Sequence, residues 1–506
     1  MIVGPLVYFL AREAKGHGVP EVMEAVALKS GVIRKRVVIV KSLASAISIS
    51  TGGSVGREGP IVQIGSAIGS TLGQALKVSA DRMRTLVGCG AAAGIAATFN
   101  APIAGSMFAL EVVLGDFGLA TFSPIVIASV VATVVSRAYL GDIPAFIVPA
   151  YELVSAWELP LYMVLGVFCA IVGVTFTKTL YRVEDLFDSF KFPEYLKAVV
   201  GGVILGVVGL LFPQILGVGY GAMDLALMQQ IAWWLMLVLV VVKIGATSIT
   251  IGSGGSGGVF APSLFLGAMA GGFFGMVAHA LFPTVTASPG AYSIVGMGAV
   301  VAATTHGPLA AILILFEMTG DYKIILPLMF ACIVGTITSS QLLKDSIYTL
   351  KLARRGFDIK EGKEVNVLKS MRVKEIMSRK IETILEGSTL VAMADKISKS
   401  KFNSFPVLNA DHKLVGILSF NDYREAIFDD DLKHLVVAKD LATPDVVTVS
   451  AHDNLYTALE KISRKDFATL PVVSADDDAQ LVGIISRRDI IGAYDKAVLK
   501  KSLFKN

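Results

Sequence analysis

The sequence predicts a mostly α-helical membrane body built from two related halves, followed by a pair of small soluble α/β units. Three observations carry this. The first is composition: 54% of residues are apolar and 17% charged, with a mean hydropathy of +0.67, where a soluble domain carries about 25% charged residues. The second is charge placement. Residues 117–136, 159–177, 198–223, 225–242 and 324–343 contain no Asp, Glu, Lys or Arg, and each is near the ~20 residues that cross a bilayer. Residues 244–316 form a still longer charge-free block. The third is a change at Arg354, after which charges are frequent and no further spanning stretch occurs.

Taken in order, the first apolar run, 2–11, ends in Arg12-Glu13 without a small-residue cleavage pattern, so no cleavable signal is expected. Cys89, Cys169 and Cys332 lie scattered in apolar segments and read as buried small residues rather than a disulfide or metal framework. A net charge of +4 without a basic patch gives no sign of a nucleic-acid partner. Gly16-His17-Gly18-Val19-Pro20 places one polar side chain among glycines, with Pro at a helix start. Arg34-Lys35-Arg36 is a basic cluster of the kind that flanks spans on the cytoplasmic side.

Gly56-Arg57-Glu58-Gly59-Pro60 stands between the apolar runs 37–51 and 61–76. Ionisable residues at membrane depth are costly and mark functional sites. Exposed N–H groups at a helix start, with the positive dipole end behind them, form an anion site. Glu58 could occupy such a site itself and compete with a mobile anion. The plainer reading is a Gly/Pro loop whose Arg57 and Glu58 pair with each other.

The membrane part repeats itself. Gly56, Pro60, Gly65 and Gly69 match Gly258, Pro262, Gly267 and Gly271, each 202 residues on. Gly88-Cys89-Gly90 matches Gly296-Met297-Gly298, Pro102 matches Pro308, and Glu111 matches Glu317, at offsets of 206 to 208. In both halves the Glu lies nine residues after the Pro. Such duplications build transport bodies whose ion sites sit at broken helices near the midplane. The spacing leaves open whether the repeats run parallel or inverted. Gly252 to Gly257 contains G-x-G-x-x-G, but no carboxylate follows until Glu317, so a dinucleotide fingerprint fails. Flexible backbone opening a helix at Pro262 is the better reading.

With these motifs in order, the chain resembles the CLC chloride channels and proton-coupled anion exchangers. The resemblance rests on residues 16–20, 56–60 and 257–262 and on Tyr348. It implies inverted repeats, a homodimer with one pore per subunit, and anion binding by helix N-termini. It implies Glu58 as the gating glutamate, backbone N–H donors at Gly16, Gly18, Gly56, Arg57, Gly59, Gly258, Val259 and Phe260, and a Tyr348 hydroxyl at the inner anion position. His17 stands where the family has a serine. Imidazole can donate to an anion and carry charge when protonated; the alternative is that only backbone N–H groups matter there. Proton-coupled members have a second glutamate after the one matched by Glu111. This chain has Val112 at that position. Valine carries no proton, and Glu111 would lie about 100° away on an α-helix. One or two helices precede the first motif in the family, whereas about fifteen residues do here, so outer N-terminal helices are expected to be missing.

The soluble end reads as a linker over 354–370, similar units at 371–430 and 436–495, and a tail at 496–506, after a membrane domain of 1–353. Lys374-Glu375-Ile376, Phe405-Pro406-Val407 and Gly416-Ile417 recur as Lys439-Asp440-Leu441, Leu470-Pro471-Val472 and Gly483-Ile484. Amphipathic helix patterns at 390–399 and 455–464 precede a Pro-led strand and a Val-Gly-Ile strand. These units resemble a tandem cystathionine-β-synthase-type (CBS) pair. Ser419 with Asp422, and Ser486 with Asp489, have capping spacing. In CBS domains the same positions bind an adenine nucleotide (ATP, ADP or AMP).

The expectation is a dimeric, multi-pass chloride channel of the cell membrane, embedded in lipid. Glu58 gates it, cytoplasmic CBS domains regulate it, and permeation requires no cofactor. A proton-coupled chloride antiporter and a membrane-anchored nucleotide sensor are the alternatives. No triad, zinc cluster or phosphate-transfer motif supports an enzyme.

Overall fold

The computed structural model describes residues 2–142, 154–357, 368, 371–400, 402–427, 435–464, 467–475 and 477–503. The chain forms two compact units, Met1–Arg354 and Arg355–Asn506. Most of the linker expected over 354–370 lies outside the described residues.

The first unit is helical. It begins with α1 (Val3–Leu10), α2 (Val19–Leu28), α3 (Arg36–Ser50), α4 (Glu58–Ala75), α5 (Ala80–Phe99) and α6 (Pro102–Phe108). After α7 (Leu119–Leu140) and α8 (Leu159–Ser189), the second half follows. It comprises α9 (Glu194–Leu211), α10 (Tyr220–Leu227), α11 (Trp233–Gly252), α12 (Phe260–Leu281), α13 (Pro289–Thr305), α14 (Pro308–Thr319), α15 (Ile325–Leu342) and α16 (Thr349–Arg354). Among the described residues, six helical stretches are long and apolar enough to span a membrane. The charge-free run 198–223 is not one span: α9 ends ahead of Pro213, and α10 begins a new helix at Tyr220. The block 244–316 is likewise broken into the end of α11, then α12, α13 and most of α14.

Local chemistry places these breaks. Proline, which lacks an N–H, fits the first turn of a helix, and it opens α6, α13 and α14. Asn100 and His306 end α5 and α13 in the left-handed region, at φ 58° and 54°. The same turn therefore leads into Pro102 and Pro308. Helix α13 is buried along its whole length. Apolar side chains of α7 and α9, among them Ile127, Val134, Val207 and Leu210, stay exposed, as on helices that face lipid tails.

The two halves run in opposite directions. Gly56 and Gly258, equivalent positions of the duplication, form an antiparallel bridge. Gly56 N–H donates to the Gly258 carbonyl at 2.8 Å, and Gly258 N–H returns the bond at 2.6 Å. Two equivalent residues that exchange both bonds lie across a local two-fold axis. The carboxylates agree. Glu111, near the end of its repeat segment, accepts from Leu309 and Ala310 N–H at 3.1 and 2.7 Å. Glu317 accepts from Ile103 and Ala104 N–H at 3.0 and 2.6 Å. Each glutamate thus satisfies the orphan donors at the start of the other half's proline-led helix. The repeats are inverted, as the family resemblance implies.

The second unit holds two three-stranded sheets. β1 (Ile384–Leu385) runs parallel to β2 (Ser404–Leu408), and β2 pairs antiparallel with β3 (Leu414–Ser419). β4 (Val449–Ser450), β5 (Thr469–Val473) and β6 (Leu481–Ser486) repeat the arrangement. Helix Leu390–Lys399 buries Leu390, Met393 and Ile397, and helix Leu455–Arg464 buries Leu455, Ala458 and Ile462. Both use the i, i+3, i+7 stripe of an amphipathic helix.

Glycine contacts hold the membrane helices close. A Cβ at Gly65 would collide with the Gly90 carbonyl, and one at Gly271 with the Tyr292 carbonyl. Gly65→Val is expected to lower stability by about 1–3 kcal/mol through overpacking. Gly202→Ala, where nothing lies within 4 Å, is expected to leave the detergent-phase melting midpoint in place. Equal midpoints for the two variants would contradict this packing.

Candidate functional site

Three helix starts converge at the boundary between the halves. Helix α2 begins after Gly16-His17-Gly18, α4 begins at Glu58, and α12 begins at Phe260. Their loops are tied through backbone. Gly16 N–H donates to the Gly255 carbonyl at 3.2 Å, and Gly257 N–H donates to the Gly16 carbonyl at 3.3 Å. Gly16 and Gly18 have φ of 78° and 85°, which L side chains rarely adopt. A Cβ at Gly59 would strike the His17 carbonyl. The arrangement brings the positive ends of three helices to one place, and that favours an anion.

Glu58 lies in this junction and is 1% exposed. Tyr220 O–H donates to its Oε1 at 3.2 Å. Its Oε2 fills the space over Gly56, where a Cβ would collide with it and also lie 3.2 Å from the Ala261 nitrogen. Arg57 takes other partners. Its Nη2 donates to the Thr98 carbonyl at 3.4 Å, and its guanidinium lies over the Tyr220 ring at 5.6 Å. Val259 caps α12, and Phe260 packs its ring against Phe99 and Phe108 at 5.6 and 6.2 Å.

His17 is fully buried, with its ring 5.8 Å from that of Tyr348. Tyr181 O–H donates to the Ile347 carbonyl at 2.6 Å and lies 3.4 Å from His17 Nε2. A hydroxyl has one proton. With that proton on Ile347, Tyr181 can only accept from His17, which selects the Nε2–H tautomer. The Tyr348 segment is held further by Ile347 N–H on the Thr304 carbonyl at 2.8 Å.

The segment 109–114 departs from the α-helix expected of it. It is a π-helix, Ala109–Leu114, a form often found at functional sites. A Cβ on Gly307 would meet Val112 Cγ2 at 2.8 Å and Glu111 Oε2 at 3.2 Å. Both side chains reach the same glycine, but the Glu111 carboxylate is engaged on the N–H groups of α14.

Several residues of the junction escape a reading of motifs. Lys41 is fully buried and donates to the Ala14 and Gly16 carbonyls at 3.0 and 2.8 Å. Lys243 is also fully buried and donates to the Ile215 and Gly217 carbonyls at 2.9 and 3.2 Å. The two lysines are 202 residues apart, and Gly16 and Gly18 lie 201 before Gly217 and Gly219. The duplication thus extends to the first loop: Gly217-Val218-Gly219-Tyr220 is the counterpart of Gly16-His17-Gly18-Val19. The signal was a lone lysine at one offset in two apolar runs.

In the second unit, Ser419 N–H and O–H both donate to Asp422 Oδ2, at 2.9 and 2.7 Å, and Asp422 N–H returns a bond at 3.3 Å. Ser486 and Asp489 do the same at 2.9, 2.6 and 3.1 Å. Both motifs sit where a strand passes into a helix, in capping geometry.

Opposed halves, joined at glycine-rich helix starts around a buried carboxylate, define an inverted-repeat membrane transport body. The family model "Voltage gated chloride channel" matches residues 1–340, and the CBS domain model matches 373–429 and 438–496. The chain belongs to the CLC family of anion-transport proteins. A protein described as a ClcB-like chloride channel from Ralstonia nicotianae is 40% identical over 345 residues, 67% of this chain and 80% of its own. The H(+)/Cl(-) exchange transporter ClcA of Salmonella arizonae is 35% identical over 358 residues, 69% of this chain and 76% of its own. The crystal structure of a slow cyanobacterial Cl-/H+ antiporter aligns with a TM-score of 0.65 at 30% identity, over 70% of this chain and 84% of that one.

Lys41→Met and Lys243→Met each remove a charged donor from two buried carbonyls, of which those of Ala14, Gly16 and Ile215 keep a second donor in Ser256, Gly257 and Ser54. A cost of about 1–3 kcal/mol is expected for such a loss, read as a lower melting midpoint of the purified protein. A midpoint unchanged in both variants would show that the lysines do not hold these loops.

Proposed function

We propose that the protein is a CLC-type anion channel passing chloride, with Glu58 as its gate. The observation that carries the channel reading is at Val112. This side chain is buried beside Gly307, and Glu111, its titratable neighbour, is committed to the start of α14. The expected inward proton position therefore offers no free carboxylate. Ionised Glu58 fills the site among the helix starts; its protonation, or its displacement by an anion, opens the path. His17, with its Nε2–H directed at Tyr181 and its ring beside Tyr348, lies on the inner side of this reading and contributes to anion choice.

The relatives favour a second reading, because ClcA and the cyanobacterial protein are named as proton-coupled. Proton–anion exchange would need a proton route that bypasses Val112. One reconstitution separates the two. In sealed proteoliposomes, a chloride gradient is expected to move chloride without driving protons uphill. Glu58→Ala is expected to make that flux insensitive to external pH. Uphill proton movement in the wild type would replace the channel with the exchanger, and surviving pH gating in Glu58→Ala would remove Glu58 as gate.

The proposal extends to a homodimer in the cell membrane with the CBS pair on the cytoplasmic side. The pair binds an adenine nucleotide through Ser419, Asp422, Ser486 and Asp489, whose geometry also serves as helix capping. ATP, ADP or AMP at a hundredfold excess over its dissociation constant would stabilise its domain by about 2.7 kcal/mol. A rise in the melting midpoint of the full chain is therefore expected with one of them, and lost in Asp422→Ala/Asp489→Ala. No shift with any of the three counts against nucleotide regulation.

A further inference from the structure

We infer that Tyr220 is the latch of the Glu58 gate: its hydroxyl holds the ionised carboxylate in the seat that blocks the anion path. The inference rests on the gate reading above and adds to it the group that sets how firmly the gate closes.

Tyr220 reaches Glu58 from the other half of the molecule. It opens α10, and its O–H donates to Glu58 Oε1 at 3.2 Å. The loop before it is braced by a buried lysine. Lys243 holds the Ile215 and Gly217 carbonyls, and its ammonium lies over the Phe265 ring at 4.8 Å. Gly219, at φ 90°, is packed so that a Cβ would meet that same ring at 2.8 Å. This loop is the inverted copy of the one that presents His17. In the first half, Lys41 braces a loop that brings an imidazole to the junction. In the second half, Lys243 braces a loop that brings a phenol to it.

The chemistry of the contact is selective. A phenol donates more strongly to a carboxylate than to a neutral acid, so the bond favours Glu58 ionised and seated. Arg57 reinforces it with its positive charge, its guanidinium lying 5.6 Å from the ring centre. Arg57 also lines a cleft of about 480 Å³ together with Thr98, Phe99, Asn100 and Ser136. The groups that act on Glu58 are thus Arg57, which caps the start of α4, Tyr220 on α10 and the Ala261 N–H on α12. Among them the Tyr220 hydroxyl is the side-chain donor bonded to the carboxylate.

Tyr220→Phe removes that hydroxyl and keeps the ring under Arg57. The seated carboxylate is then easier to protonate and to displace. Half-activation of chloride flux in proteoliposomes is expected to move to higher pH by about one unit, a tenfold change in proton concentration. Chloride is expected to bind the purified variant about tenfold more tightly at neutral pH by calorimetry, because its internal competitor is weaker. Neither change is expected on adding Tyr220→Phe to Glu58→Gln, whereas a merely structural role would disturb both backgrounds alike. Unshifted pH midpoint and affinity in Tyr220→Phe, with Glu58→Gln differing from wild type, overturns the latch and leaves the gate. Equal affinity and pH profile for Glu58→Gln and wild type overturns the gate itself, and the latch with it.

Discussion

The structure depends on the backbone exchange between Gly56 and Gly258. These residues must approach so closely that neither tolerates a side chain: a Cβ on Gly56 would strike Glu58, and one on Gly258 would meet the Gly59 nitrogen at 2.7 Å. Their contact brings the starts of α4 and α12 together, and the Gly16 loop adds the start of α2. Like ends of helix dipoles repel, and buried N–H groups need acceptors. Such a junction is stable only with negative charge in it. Glu58 supplies that charge from within the chain, which is why a carboxylate can stand at membrane depth here at all.

Around the junction, charge is used in matched pairs. Glu111 and Glu317 each cap the other half's proline-led helix, and Lys41 and Lys243 each hold the carbonyls of a preceding loop. A buried ion without partners costs several kcal/mol. Each of these four is matched to backbone groups of opposite polarity. They fix the ends of helices that a bilayer, offering no hydrogen bonds, could not fix.

Much of this was legible in the sequence. The glycine and proline spacing at offset 202 gave the duplication, and the structure turned each matched glycine into a close helix contact. The Pro-to-Glu spacing was also visible, but its meaning was not: a capping carboxylate shows its purpose only when the partner helix, some two hundred residues away, is in place. Lys41 and Lys243 were hidden because a single charge beside an apolar run reads as the end of a span. Tyr220 was hidden because 198–223 lacks charge and reads as one span, whereas Pro213 and the glycines after it break the run. The π-helix at Ala109–Leu114 was hidden because the pattern was taken at 3.6 residues per turn.

The inverted symmetry separates scaffold from function. Residues that obey it hold the body together: the paired glycines, prolines, glutamates and lysines. Three positions at the junction break it. Glu58 corresponds to Phe260, His17 to Val218, and Tyr220 to Val19, at offsets of 201 and 202. A fully symmetric junction would carry either two carboxylates, which repel each other, or none, which leaves the helix starts without charge. One carboxylate facing one aromatic ring avoids both outcomes. It also gives the junction unlike surroundings, a phenol beside the carboxylate and an imidazole beside Tyr348. The asymmetry arises from three differences between the halves, at Glu58, His17 and Tyr220.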